Sequence, residues 1–187
     1  MIEFARHFLL ISVIFISLVV LIIMAAIKDR HGRTISQLIA LRRPVAVVFG
    51  LMLMICTVGF AVFIYGWFAP YYNLSLVFKI LAGLLLLCTA TIALFPHSKR
   101  SELSSKIHNK AAWCGLYVAF ALIIDLSIET LGQVSLLNSI LLFGLVIYCI
   151  FFKVFFSRDW FRQRLLFFES GVIAWFLLAI ISLTYFD

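Results

Sequence analysis

Apolar runs of about 20 residues, separated by short polar connections, recur along the whole chain. That is the length an α-helix rising about 1.5 Å per residue needs to cross a hydrocarbon core of about 30 Å. The runs place membrane spans at Phe8 to Ile27, Val45 to Phe68, Leu74 to Phe95, Ala111 to Leu131, Leu136 to Phe156 and Leu166 to Phe186. The pattern predicts an all-α, polytopic membrane protein, a six-transmembrane-helix bundle. Its connections are too short to fold separately, so residues 1–187 read as a single transmembrane domain. The first run is longer than the roughly 7–15 residues of a signal-peptide core, and its positive charges follow it; it reads as a retained anchor.

Composition agrees with the pattern. The chain is 65% hydrophobic and 12% charged, against roughly 45–50% and about 25% in soluble domains, which excludes a water-soluble globule. The net charge of +7 is concentrated, because 13 of the 15 basic residues fall in or at the edge of the three odd connections. They are Lys28, Arg30, Arg33, Arg42 and Arg43, then Lys99, Arg100, Lys106 and Lys110, then Lys153, Arg158, Arg162 and Arg164. The connections Ala69 to Asn73 and Gly132 to Ser135 carry none. The positive-inside rule therefore puts the odd connections in the cytoplasm and both termini on the non-cytoplasmic side, in a plasma membrane or a bacterial inner membrane. No connection is long enough to build a nucleic-acid docking module. The basic residues point to anionic lipid headgroups at the cytoplasmic face, with Arg33, Arg42, Arg43, Arg158, Arg162 and Arg164 as candidates.

Chemistry-bearing motifs are sparse. The chain has no Walker A, G-x-S-x-G, H-E-x-x-H or G-x-G-x-x-G pattern. Cys56, Cys88, Cys114 and Cys149 all lie in predicted spans without C-x-x-C spacing, and they read as buried free thiols. His31, His97 and His108 would share one membrane face, a weak metal or haem candidate. A hydrogen bond from His108 to the loop backbone is the plainer expectation, and no cofactor is predicted. In the first connection Thr34 and Gln37 fit a capping box before Ile35, Leu38, Ile39 and Leu41, which predicts a short interfacial helix. Trp160 and Phe161 among Arg158, Arg162 and Arg164 read as an interface anchor.

Lys79 and Asp125 lie inside the spans, with Glu129 near the outer end of the fourth and Lys153 and Glu169 near the inner ends of the fifth and sixth; Glu169 reads as an interface partner of Arg162 or Arg164. Antiparallel packing of the third and fourth spans would put Lys79 level with Asp125, and Glu129 lies one turn further on the same face. One reading is an ion pair that fixes helix packing. The other is an outward-facing proton or cation site, with Asp125 as the titrating group. Gly50, Gly59, Gly66, Gly83, Gly115, Gly144 and Gly171 predict close helix approaches. Pro44 and Pro70 fall at span ends, so no span has a central proline break.

The order of a first span, the loop segment Thr34-Ile35-Ser36-Gln37-Leu38, a third span ending Phe95-Pro96, and His108 just before the fourth resembles a known family. It is the six-span membrane family catalogued as domain of unknown function 998, related to the DRAM, Frag and Sfk membrane proteins. The resemblance implies that Phe95, Pro96 and His108 flank one loop. It also implies a link to membrane-lipid organisation, without an established catalytic site. Three functional classes follow: a lipid-interacting organiser or regulator, which leads; a small proton- or cation-coupled transporter or channel using Lys79, Asp125 and Glu129; and a haem- or metal-binding intramembrane enzyme. A homo-oligomer or a partner membrane protein is compatible with each.

Overall fold

The computed structural model describes residues 4, 6–7, 43–96, 101–155, 158–160 and 165–186. Among them every regular element is helical. Helix α1 (Arg43–Phe63) runs on through a π-helical segment (Ile64–Phe68) into Ala69–Tyr71. It is followed by α2 (Leu76–Leu94), α3 (Glu102–Glu129), α4 (Leu136–Phe155) and α5 (Leu165–Tyr185). Three helices are long and apolar enough to cross a membrane, Ala46–Tyr71, Leu76–Leu94 and Glu102–Glu129. They match the second, third and fourth predicted spans, and α4 and α5 fall on the fifth and sixth. The first predicted span and the capping-box helix around Thr34 lie outside the described residues.

Local chemistry explains the boundaries. Pro44 stands in the first turn of α1, where a missing N–H costs nothing. Pro70 lies inside the same continuous helix, so the connection predicted over Ala69 to Asn73 is shorter than the sequence suggests. A proline ring in a helix has no N–H and clashes with the carbonyl four residues back. The wide turn just before Pro70 accommodates this, with Ala69 N–H donating to the Ile64 carbonyl five residues back. The chain then reverses at Asn73, whose φ of 49° is the left-handed conformation that asparagine tolerates. Ser75 caps α2 by accepting from the Phe78 N–H at 3.1 Å.

Helix α3 starts at Glu102, well before Ala111, where its apolar run begins. Ser101 accepts from Ser104 N–H at 3.2 Å, Glu102 sits in the first turn, and Lys106 pairs with it at 2.6 Å on the exposed face. These polar turns extend the helix beyond the apolar segment.

Apolar side chains gain little by leaving lipid for another helix, so bundles in membranes are held by close packing. A Cβ added at Gly144 would lie 2.6 Å from Trp175 Cζ2, and one at Gly115 would lie 3.3 Å from Cys88 Cβ. The glycines thus seat large partners or bring backbones together. Phe63, Phe68, Phe78, Leu122, Leu126, Leu142 and Leu183 form the main buried cluster. Val47, Leu51, Ile55, Val58 and Val62 on α1, and Ile140, Phe143, Ile147 and Val154 on α4, face outward, as lipid contact requires.

Candidate functional site

Hydroxyls inside the helices satisfy themselves. Thr57, Thr89, Thr91, Ser127, Thr130 and Thr184 each donate to the carbonyl one turn earlier, at 2.6–2.8 Å. Trp175 Nε1 donates to the Leu141 carbonyl at 3.1 Å. Against this background the buried polar atoms without a partner stand out. Among the described residues they are Asp125 Oδ2, both amide atoms of Asn138, and Arg6 Nε. All belong to the end of the bundle where the chain turns at residues 72–75 and 130–135.

Register places the charged groups. Glu129 Oε2 accepts from the Ser75 N–H at 2.9 Å, Gly115 abuts Cys88, and His108 Nδ1 lies 3.0 Å from the Phe95 carbonyl oxygen. These three contacts run α2 and α3 antiparallel along their length and put Lys79 level with Asp125, as the sequence predicts. The ion pair itself is absent: Lys79 bridges to no described carboxylate. Its backbone carbonyl accepts from Tyr65 Oη at 2.6 Å instead. Sequence spacing fixes the level of a side chain on a helix but not the direction its flexible stem takes.

Glu129 has a defined task. Its carboxylate completes the N-terminus of α2, where free N–H groups and the helix dipole favour negative charge. Asp125, one turn earlier on α3, lies beside Glu129, and no cation among the described residues is within ion-pair distance of it. Two carboxyl groups side by side, one with a hidden oxygen, make an acceptor site for positive charge.

Asn138 is 1% exposed, in the first turn of α4, with a donor and an acceptor both unmatched. Arg6 donates to the Thr184 carbonyl at 2.5 Å, and its guanidinium lies 4.6 Å from the Tyr185 ring centroid and 5.5 Å from that of Trp67. Tyr185 Oη returns a hydrogen bond to the Arg6 carbonyl at 3.1 Å. These two residues escape sequence reasoning. A polar residue in the otherwise apolar stretch Leu136-Leu137-Asn138 is the signal for the first, and the aromatic partners of Arg6 are distant in sequence.

No family model, curated protein or solved structure matches this chain.

The residues of the resembled motif meet at the opposite end. His108 is buried and hydrogen-bonded to Phe95, and Ser104 Oγ donates to the Pro96 carbonyl at 2.8 Å. Since a carbonyl only accepts, His108 Nδ1 carries the proton. His108 is therefore tied to the loop backbone, as the sequence suggests. His31, His97, Arg33, Arg42, Arg162 and Arg164 lie outside the described residues. Arg43 opens α1, and Arg158 is exposed next to Trp160, whose ring packs 5.7 Å from that of Phe155. Among the described residues no three His, Cys, Asp or Glu side chains gather as metal ligands.

Proposed function

We propose that this protein is a small proton- or cation-coupled transporter or channel, with Asp125 and Glu129 as the binding groups in its outer half. One observation carries the reading: among the described residues Asp125 keeps a buried carboxylate oxygen without a partner, lies beside a second carboxylate and forms no ion pair with Lys79. In hydrocarbon a lone charge costs on the order of 2.5–3.5 kcal/mol on insertion scales, and intramembrane carboxyls commonly mark ion or proton paths. A carboxylate kept only for packing would be expected to engage the level cation, and this one does not. The unmatched amide of Asn138 at the same end supports a polar, occupied environment there. The charge distribution supports placing this end on the non-cytoplasmic side, with six spans in all.

The test is flux. In proteoliposomes carrying an internal pH dye and a potassium diffusion potential, run in sodium and in choline media, the wild type moves protons or sodium. Asp125→Asn abolishes that movement, while Lys106→Gln leaves it intact. Equal flux in wild type and Asp125→Asn overturns the reading.

The lipid-organiser reading is the second, favoured by the exposed Lys106, Lys110 and Arg158 at the His108 end and by the family resemblance. It predicts retention of anionic lipid in mild detergent, lost when Arg42 and Arg43 are changed to Gln.

A further inference from the structure

Asn138 opens the stripe of residues that α4 turns to the interior. Leu142, Leu145, Cys149 and Phe152 follow it at alternating spacings of four and three, and all five are buried. Asn138 is the polar member of the stripe, and neither its amide nitrogen nor its amide oxygen has a hydrogen-bond partner. Its backbone N–H donates to Ser135 Oγ at 3.3 Å, so the unmet demand belongs to the side chain alone. Across the turn at residues 130–135, Thr130 ends α3 and is fully buried. Leu126, one turn before Thr130, and Leu142, one turn beyond Asn138, belong to the same buried cluster, so the hairpin carries Thr130 and Asn138 to one level. The Thr130 hydroxyl hydrogen is spent on the Leu126 carbonyl at 2.7 Å, which leaves that oxygen only lone pairs to offer. The Asn138 amide makes no direct bond to it.

We propose that Asn138 binds an internal water molecule, which bridges its side-chain amide to Thr130 Oγ1. Polar groups that face each other beyond direct reach are commonly joined in this way. The water accepts from Asn138 Nδ2, donates one hydrogen to Oδ1 and gives the other to Thr130 Oγ1. Three polar partners are the usual complement of a buried water. A bare cation fits less well, because it would be held by Oδ1 and leave Nδ2 without an acceptor. An apolar ligand would leave both amide atoms unmatched. The bridge ties the start of α4 to the end of α3, and it stands whether or not Asp125 carries an ion.

The test is nuclear magnetic resonance of the full chain in nanodiscs, with ¹⁵N in the asparagine side chains. The chain has three asparagines, and Asn73 and Asn109 are exposed, so a soluble gadolinium chelate broadens their signals and leaves that of Asn138. The protected amide hydrogens are expected to show a cross-peak at the water frequency. That cross-peak is expected to persist in Thr130→Val, where no hydroxyl hydrogen can stand in for water, and to be unaffected by replacing choline with sodium. Cross-peaks to protein hydrogens alone in the wild type overturn the proposal. So does loss of the water cross-peak in Thr130→Val, which makes the hydroxyl its source, and so does a shift of the amide signal with sodium, which makes a cation the ligand.

Discussion

His108 Nδ1 donates to the Phe95 carbonyl across 3.0 Å, joining the first turns of α3 to the residue that ends α2. The bond has a local cause. The last carbonyls of a helix lack intrahelical donors, and Pro96 brings no N–H of its own to the turn that follows. A side chain from the neighbouring helix supplies the donor, and Ser104 Oγ does the same for the Pro96 carbonyl.

His108→Ala removes a buried donor and leaves that carbonyl unpaired, a loss of about 1–3 kcal/mol. A lower unfolding temperature in detergent, with part of the loss restored in His108→Gln, is the expected outcome. An unchanged melt would mean that the loop holds without the bond.

Much of this fold is legible in the chain. Apolar runs bounded by basic connections mark where helices lie, and the runs end within a few residues of the observed α2, α4 and α5. The α3 start is misjudged from hydropathy, since Ser101 and Glu102 extend the helix into polar sequence. The tie from His108 to the loop is readable because Phe95-Pro96 and His108 flank one connection. The close approach of Cys88 to Gly115 and the seat of Arg6 beside Trp67 and Tyr185 depend on helix register and rotation, which spacing within a single helix does not encode.

Lys79 and Asp125 share a level without an ion pair, so their replacements should act independently. In a cycle of Lys79→Met, Asp125→Leu and the double variant, the changes in stability are expected to add within about 0.3–0.5 kcal/mol. Asp125→Leu by itself should leave the melting temperature unchanged or raise it, because a buried oxygen without a partner is removed. A coupling well above about 1 kcal/mol would restore the structural ion pair.

Gly144→Ala places a methyl carbon 2.6 Å from Trp175 Cζ2, and Gly171→Ala places one 2.5 Å from Tyr148 Oη. Neither rigid partner moves cheaply, and each substitution is expected to cost about 1–3 kcal/mol. Gly132→Ala meets no atom within 4 Å but must adopt a φ of 81°, which isolates backbone strain from packing. Thermal melts of the three variants separate the two effects.

Glu129→Ala removes the carboxylate from the Ser75 N–H and from the N-terminus of α2. The expected loss is about 0.3–1 kcal/mol at an exposed cap. Faster amide hydrogen exchange confined to Ser75 and the first turn of α2 is the local signature. Exchange unchanged there would show that Ser75 caps the helix without Glu129.

The central claim is that the Asp125 carboxyl takes up positive charge, and infrared difference spectroscopy of the protein in lipid reads that group directly. Stepping pH or replacing choline with sodium is predicted to shift a carboxyl band in the wild type, and the same band is predicted to be missing from Asp125→Asn. Identical difference spectra for the two proteins would contradict the claim.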